Sequence, residues 1–342
     1  SLGATMDELG AHVHRDALEQ SDVVLYHWGS WMDHGTAQAV IARFLTLSNP
    51  QQAVIGAWVH GGFQHASPYR TPGTAGEPDE WQQWRQTLNF LDRYLRNDGG
   101  GTTEKLLYYY VLGAEEWRST SVWPVAGASS EQWYFGSDNT LSTSMPSGTD
   151  ARDTYTVDFT TTSGTQTRWH TPQDGVPVVY PDRSQEDTKL LTYTSDPLTE
   201  DTEITGHPVV TLYATSTHTD GAFYVYLEDV DASGRVTYVT EGQLRSLHRK
   251  VSNETPPYEL PVPYHTFKQA DGELLVPGEI TEITFGLHPT SVLIRAGHRI
   301  RVAIAGHDAG LFERYPETGN PVITVERNSI SASKIELPVV RR

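Results

Sequence analysis

The sequence of 342 residues contains no cysteine. Disulfides, zinc sites built on thiolates and a cysteine nucleophile are therefore excluded. Positive charge is also scarce, because 25 Lys and Arg residues stand against 43 Asp and Glu residues and give a formal net charge of −18. A surface this negative repels the phosphates of nucleic acids and of anionic lipids. We therefore expect neither nucleic acid nor a membrane as a partner.

Long apolar runs are missing as well. No stretch approaches the roughly 20 consecutive apolar residues that a membrane-spanning helix needs. The first residues, Ser1-Leu2-Gly3, lack the basic and then apolar pattern of a secretion signal. These absences predict a soluble protein and leave its compartment open, since cytosolic and exported proteins can both lack cysteine.

Residues 1–101 alternate between apolar runs and helical stripes. The runs at 22–28 and 53–58 are typical of strands buried on both faces of a parallel sheet. Between and after them, apolar residues recur at the three- and four-residue spacing of one helix face. The first stripe consists of Ala37, Val40, Ile41, Phe44 and Leu45, and the second of Trp81, Trp84, Leu88, Leu91 and Leu95. We interpret this region as part of an α/β domain.

From Leu106 onward, apolar residues alternate with polar ones, which is the period of a β-strand. Examples are the runs at 210–214, 223–227 and 300–304, and no helical stripe follows residue 101. About ten short strands over this length indicate an all-β sandwich, for which a jelly roll is the favoured topology. The sequence therefore predicts a second, all-β domain over residues 102–342.

Asp33 and His60 are the candidate catalytic residues. Each follows a predicted strand, and the carboxyl ends of neighbouring parallel strands lie at the same edge of a sheet. A carboxylate that accepts a hydrogen bond from one ring nitrogen of a histidine leaves the other nitrogen to take a proton from a nucleophile. The order Asp then His also matches the Ser, Asp, His order of α/β-hydrolases. The spacing alone leaves two other roles open, a helix cap for Asp33 and an ordinary surface position for His60.

The nucleophile of such a triad is missing from the sequence. No Gly-x-Ser-x-Gly motif occurs in it, and only the two predicted strands of the sheet precede residue 100. We therefore expect the C-terminal part of a larger hydrolase, with the nucleophilic serine on a segment outside this chain. Half of a parallel sheet would expose unpaired backbone and apolar surface, so we expect a partner segment to cover residues 1–100.

Two segments carry a family resemblance. Residues 28–35, Trp-Gly-Ser-Trp-Met-Asp-His-Gly, and residues 54–61, Val-Ile-Gly-Ala-Trp-Val-His-Gly, resemble the paired GGWxD and GPWxHG segments of the CocE/NonD hydrolases. This family includes cocaine esterase, α-amino-acid ester hydrolases and bacterial Xaa-Pro dipeptidyl-peptidases. The resemblance continues through 112–118 and 296–301 and covers essentially the whole chain. Ala57 stands where the family usually has proline.

The resemblance implies the C-terminal part of an α/β-hydrolase domain over residues 1–101, followed by a jelly-roll β-sandwich. It also implies a serine hydrolase that cleaves acyl esters, amides or Xaa-Pro peptides through an acyl-enzyme and without a cofactor. On the matching positions, Asp33 is the triad acid and His60 is the triad base. The nucleophilic serine and an oxyanion-hole tyrosine would then lie on an N-terminal segment of the same protein that precedes Ser1.

Other residues near this pair have more than one interpretation. Trp28, Trp31 and Trp58 are candidates for lining the substrate pocket or for packing beneath the loops, and packing is favoured. Six of the 14 histidines lie within the first 65 residues, but no carboxylate stands at ligand spacing, so no metal is expected. We interpret His298 as a structural residue.

A function of a different class also stays open. The all-β domain could be a non-catalytic binding module for carbohydrate or for a protein partner, with residues 1–100 as a remnant of a hydrolase. Such a module is expected to show an exposed aromatic platform, which the sequence does not reveal. Self-association into a homo-oligomer stays open as well.

Overall fold

The computed structural model describes residues 10–96, 104–174 and 176–341. In chain order, the elements of its first part are α1 (Arg15–Gln20), β1 (Leu25–Ser30), α2 (Thr36–Thr46), β2 (Gln51–Gly56), α3 (Glu80–Leu95), β3 (Lys105–Val111) and β4 (Glu116–Thr120). A 3-10 turn at Ala11–His14 precedes α1. Both predicted strands and both predicted helices of this part are confirmed, and the strand bounds differ from the predicted ones by two or three residues.

Strands β1 to β4 form one mixed sheet in the order β1-β2-β3-β4. Strand β1 runs parallel to β2, from Leu25 opposite Gln51 to Ser30 opposite Gly56. Strand β2 runs parallel to β3, and β3 pairs antiparallel with β4. The mixed sheet thus continues beyond residue 101, where the alternating pattern had indicated the start of the second domain. A period of two shows only that successive side chains face opposite sides, so it cannot assign a strand to one sheet or another.

Helix α2 packs on one face of the mixed sheet. Four residues of its predicted stripe, Ala37, Val40, Ile41 and Phe44, are buried in the core, and Leu45 is partly buried against it. Burial of apolar surface is worth about 25 cal/mol per Å², so this face fixes the helix against β1 and β2. The loop from β1 into α2, which carries Asp33, is held at both ends as a result.

Helix α3 differs from this pattern. It begins at a capping box, in which the Asp79 side chain accepts a hydrogen bond from the backbone N–H of Gln82 and the Gln82 side chain accepts one from the Asp79 backbone. None of its described residues is buried. The predicted stripe points to solvent, with Trp81 80% exposed and Leu95 79% exposed. Sequence periodicity therefore located the helix but did not show that its apolar stripe is left exposed by the described residues.

The second part of the chain, here called the β domain, contains thirteen strands within its described residues. They are β5 (Ala128–Phe135), β6 (Thr140–Ser142), β7 (Arg152–Thr156), β8 (Leu191–Ser195), β9 (Thr202–Gly206), β10 (Val209–Ser216), β11 (Ala222–Val230), β12 (Val236–Arg245), β13 (Thr281–Gly286), β14 (Thr290–Ile294), β15 (Arg299–Ala305), β16 (Val322–Glu326) and β17 (Lys334–Val340). One short helix, α4 (Thr171–Asp174), lies between β7 and β8. A sheet-rich second part agrees with the sequence prediction.

Hydrogen bonds connect these thirteen strands into one network. The main path runs β12-β11-β15-β8-β6-β5-β17-β10-β16-β7, with β13 paired to β10, β14 to β9, and β9 to β17. The pairings are antiparallel except for β6 with β8. All nine residues of β11 are buried, and they lie between β12 and β15. The described residues of this domain form only short helices.

The mixed sheet and the β domain are joined by backbone hydrogen bonds. The N–H of Leu112 donates to the carbonyl of Ser291 at 2.9 Å, and the N–H of Leu293 donates to the carbonyl of Leu112 at 2.8 Å.

Over the described ranges, no helix is both long enough and apolar enough to cross a membrane.

Candidate active site

The carboxyl ends of β1 and β2 meet at one edge of the mixed sheet, as their parallel register requires. Ser30, the last residue of β1, stands opposite Gly56, the last residue of β2. The buried Ser30 hydroxyl donates to the carbonyl of Trp58 at 2.7 Å and accepts hydrogen bonds from the N–H groups of Trp58 and Met32. This one hydroxyl therefore ties together the two loops that carry the predicted catalytic residues.

Asp33 and His60 lie in hydrogen-bonding contact at this edge. His60 Nδ1 is 3.0 Å from Asp33 Oδ2. The Asp33 side chain is only 7% exposed, whereas the His60 side chain is 55% exposed. An ionised carboxylate can only accept, so this contact assigns the proton to Nδ1 and leaves Nε2 able to accept a proton. The structure thus brings together the two side chains that the sequence singled out.

The Asp33 loop is shaped by local hydrogen bonds into the start of α2. The Asp33 carbonyl accepts from the N–H of Thr36 at 3.1 Å and from the Thr36 hydroxyl at 2.8 Å. The same hydroxyl accepts from the N–H of Ser30 at 3.1 Å. Asp33 therefore does not cap α2 with its side chain, which is one of the two alternative roles, and its carboxylate is free to face His60.

The His60 loop turns through two glycines. Gly61 and Gly62 have φ values of +87° and +79°, which residues with a Cβ rarely adopt. The N–H of Gly62 donates to the carbonyl of Val59 at 2.9 Å and closes the turn. Gln83 of α3 donates to the Gly62 carbonyl at 2.8 Å, so the start of α3 is linked to this loop.

Each of the three candidate pocket residues packs against another tryptophan, Trp28 and Trp58 against each other and Trp31 against Trp123. Trp31 and Trp58 are buried, and Trp28 is half-buried. The Trp31 indole donates to the carbonyl of Tyr110 at 2.7 Å, and the Trp28 and Trp58 rings lie 5.4 Å apart. These contacts fit the packing role, which the sequence had favoured over a role in lining a pocket.

A group of residues in the β domain also contacts the candidate site, and sequence reasoning missed it. Arg168 donates to the carbonyl of His34, and the Thr171 hydroxyl accepts from the N–H of His60 at 2.9 Å. These contacts span 134 and 111 residues of sequence. No local motif marks residues that meet only after the chain has folded. Burial, together with the nearby Arg168 charge, lowers the pKa of His34.

A second histidine–carboxylate pair lies in the β domain. His298 Nδ1 is 2.8 Å from Asp229 Oδ1, and the hydroxyl of Tyr69 donates to Asp229 Oδ2 at 3.0 Å. Burial raises the pKa of Asp229. Because this pair resembles Asp33–His60 in geometry, it can serve as an internal control for that pair.

Within the described ranges, no group of three potential ligands is placed to hold a metal ion.

Comparison with known proteins identifies the relatives of this chain. A sequence profile of the X-Pro dipeptidyl-peptidase C-terminal non-catalytic domain matches residues 93–334. The chain is 43% identical over 327 residues to a Mycobacterium bovis protein that carries the provisional name of serine esterase, covering 95% of this chain and 51% of that protein. It is 26% identical over 344 residues to cocaine esterase of a Rhodococcus species, covering 91% of this chain and 55% of that enzyme.

Two solved structures share the fold. An aminopeptidase from a marine sediment Thaumarchaeota archaeon superimposes with a TM-score of 0.73 at 20% identity, over 96% of this chain and 57% of that one. A CocE/NonD family hydrolase of Staphylococcus aureus gives a TM-score of 0.67 at 16% identity, over 93% of this chain and 54% of that one.

The chain belongs to the family of the X-Pro dipeptidyl-peptidase C-terminal non-catalytic domain, whose profile matches most of its length. Its similarity to cocaine esterase and to the CocE/NonD hydrolase structure supports a CocE/NonD-like C-terminal portion. The chain spans about half the length of the curated relatives it matches. Asp33 and His60 precede the matched domain, whereas Arg168 and Thr171 lie inside it.

Proposed function

We propose that this chain supplies the acid and the base of a Ser–His–Asp triad in a serine hydrolase. The observation that carries the proposal is the hydrogen bond of 3.0 Å between His60 Nδ1 and Asp33 Oδ2, made by a buried carboxylate to a half-exposed imidazole. The nucleophilic serine belongs to a segment outside this chain. The substrates are acyl esters, amides or Xaa-Pro peptides, a class supported by the names of the relatives.

The reaction follows from the roles of the two residues. His60 Nε2 takes the proton of the serine hydroxyl while the serine oxygen bonds to the carbonyl carbon of the substrate. The carbonyl electrons move onto oxygen, and donors on the nucleophile-bearing segment stabilise that oxyanion. His60 then gives the proton to the leaving alcohol or amine, the scissile bond breaks, and an acyl-enzyme forms. Water repeats these steps to release the acid, and Asp33 stabilises the imidazolium each time.

Two uncovered surfaces support a partner for the mixed sheet. Among the described strands, β1 pairs only with β2, so its other edge carries free backbone groups. The stripe of α3 exposes Trp81, Leu88 and Leu95 in one row. We assign both surfaces to the nucleophile-bearing segment, which would extend an α/β-hydrolase sheet beyond β1. In this proposal the β domain is the jelly roll that follows that sheet.

The test is labelling of the natural protein that contains this chain with a fluorophosphonate probe, followed by intact mass spectrometry. Such probes react with a serine that a histidine has activated. We expect one label on the segment outside this chain, and we expect His60→Gln and Asp33→Asn to abolish it. The matched control is His298→Gln, which removes a histidine bound to a buried carboxylate elsewhere and should leave labelling unchanged.

Labelling that persists in His60→Gln contradicts the proposal. A natural protein that is folded and takes no probe contradicts it as well. In that case the β domain is better explained as a non-catalytic binding module, and its ligand becomes the question.

A further inference from the structure

Residues 167–171 of the β domain lie against both loops of the candidate active site. Thr167, Arg168 and Thr171 are fully or almost fully buried. Arg168 contacts the loop that carries Asp33, and Thr171 contacts the loop that carries His60. We call residues 167–171 the clamp segment. Its hydrogen bonds reach both loops of the candidate site, through His34 on one and His60 on the other.

Arg168 holds the residue that follows Asp33 through three hydrogen bonds. The carbonyl of Arg168 accepts from the N–H of His34 at 2.9 Å. The Arg168 guanidinium donates from both Nε and Nη2 to the carbonyl of His34, at 2.9 and 2.6 Å. Arg168 therefore fixes both the N–H and the carbonyl of His34, and this defines the orientation of the peptide planes beside Asp33.

The conformation of His34 explains why such a hold is needed. Its φ is +44°, in the left-handed region that a residue with a Cβ adopts only at a cost. Such a conformation persists where the surrounding structure over-determines it. Trp169 also contacts His34, with ring centroids 4.7 Å apart in an edge-on arrangement. The clamp segment therefore supplies both the polar and the apolar contacts that keep this backbone in place.

Thr171 performs the corresponding role for His60. Its hydroxyl accepts from the N–H of His60 at 2.9 Å, and the side chain is completely buried. This contact fixes the backbone of His60 and leaves its imidazole to Asp33. A valine would fill the same space without the acceptor.

The clamp segment is itself anchored to the β domain. The hydroxyl of Tyr180 accepts from the N–H of Arg168 at 3.1 Å, and its ring stacks on Tyr238 of β12 at 3.7 Å. The indole of Trp169 donates to Glu241, also on β12. Burial raises the pKa of Glu241 to about 7. These contacts connect β12, through the clamp segment, to the loops of the candidate site.

We propose that Arg168 and Thr171 are positioning residues for the Asp33–His60 pair, so that the domain matched by the non-catalytic family profile sets the geometry of the triad. This inference rests on the proposed function. Neither residue touches the reacting atoms, and both act through the backbone of His34 or His60. Loss of either contact is expected to weaken the Nδ1–Oδ2 hydrogen bond while the fold is retained.

The test reads the His60 ring directly in this chain by nitrogen-15 NMR of labelled histidine, with His60→Gln used to assign the signal. The measured quantity is the ratio of the Nδ1–H tautomer to the Nε2–H tautomer. We expect Thr171→Val to lower this ratio about fivefold, the effect of losing one hydrogen bond of ordinary net strength. Thr171→Ser keeps the hydroxyl and should restore the ratio. Arg168→Lys keeps the charge but not the paired donors, and should lower the ratio as well.

The matched control is Thr161→Val. The Thr161 hydroxyl is buried in the same domain and donates to the carbonyl of His307 at 2.7 Å, a residue outside the clamp segment. Thr161→Val should lower the free energy of unfolding by about as much as Thr171→Val does. It should leave the tautomer ratio of His60 unchanged. If Thr171→Val and Arg168→Lys are folded and both keep the wild-type ratio, the positioning role is wrong. If the ratio responds but the natural protein takes no fluorophosphonate, the hydrolase proposal fails and the positioning inference stands.

Discussion

The hydroxyl of Ser30 and the backbone of Trp58 form two hydrogen bonds across the ends of neighbouring parallel strands. The hydroxyl donates to the Trp58 carbonyl at 2.7 Å and accepts from the Trp58 N–H at 3.1 Å. Three residues after Ser30 comes Asp33, and two residues after Trp58 comes His60. The separation of the candidate acid and base is thus set by a buried serine that takes no part in the proposed chemistry.

Ser30→Ala is expected to destabilise the chain by about 2 kcal/mol, because the backbone groups of Trp58 and Met32 lose their buried partner. Urea denaturation followed by tryptophan fluorescence measures this free energy of unfolding. Ser21→Ala is the control, since the Ser21 hydroxyl donates to the carbonyl of Leu18 at the surface. Equal stability of the two variants would show that the Ser30 contacts contribute nothing.

Asp33→Asn is expected to lower kcat of the natural protein on an ester substrate about 10⁴-fold, with KM changed little. An amide has nearly the shape of the carboxylate but favours the wrong tautomer of His60. Steady-state kinetics measure both constants. Asp229→Asn, in the second histidine–carboxylate pair, should leave kcat close to that of the wild type. A loss of similar size in both variants would indicate a general structural effect.

His207 is expected to make the chain less stable in acid. Burial lowers the pKa of His207 from 6.5 to about 3, and neither ring nitrogen has a partner among the described residues. The folded state therefore favours the neutral ring and the unfolded state takes up the proton. This contribution to stability is complete above pH 6.5 and is lost as the pH falls from 6.5 towards about 3.

The loss assigned to His207 should reach about 2.7 kcal/mol near pH 4.5. Burial also lowers the pKa values of His27 and His65 to about 4, and these residues act in the same direction. The contribution of His207 is isolated by comparing urea denaturation of the wild type and of His207→Gln at pH 4.5 and at a pH above 6.5. The variant should show the smaller loss. An identical loss in both would remove His207 as a cause.

Leu88→Glu tests the exposed stripe of α3. Leu88 is 58% exposed, so the change should alter the free energy of unfolding of this chain by less than about 0.5 kcal/mol. It should also reduce binding of the dye ANS to the apolar surface. In the natural protein, where we assign this stripe to the nucleophile-bearing segment, the same change should destabilise the fold by about 2 kcal/mol. Gln86→Glu adds the same charge on the same helix and is the control.

Much of the N-terminal fold could be predicted from the sequence, because period and burial agree there. The stripe of α2 has the spacing of a helix face, and four of its five residues are buried. The α3 stripe shows the limit of this reasoning. Its spacing located a helix, but spacing does not reveal whether the surface that covers a helix face lies within the same chain.

The candidate site was predictable only in part. Asp33 and His60 could be found because strand ends in a parallel sheet share an edge, a rule that needs no knowledge of distant sequence. Arg168 could not be found, since its role depends on contact with His34 across 134 residues. The left-handed backbone of His34 was equally hidden, because only a few per cent of non-glycine residues adopt that conformation and histidine does not mark it reliably.

The clamp segment also determines when the candidate site can form during synthesis. Residues 33 and 60 leave the ribosome before the groups that hold their loops, which follow only after more than 100 further residues. Closing a loop of that length has an entropic cost that the packed β domain must offset. The carboxylate and the imidazole are therefore expected to reach their final geometry late, so that a nascent chain does not carry a working acid–base pair before the β domain has folded.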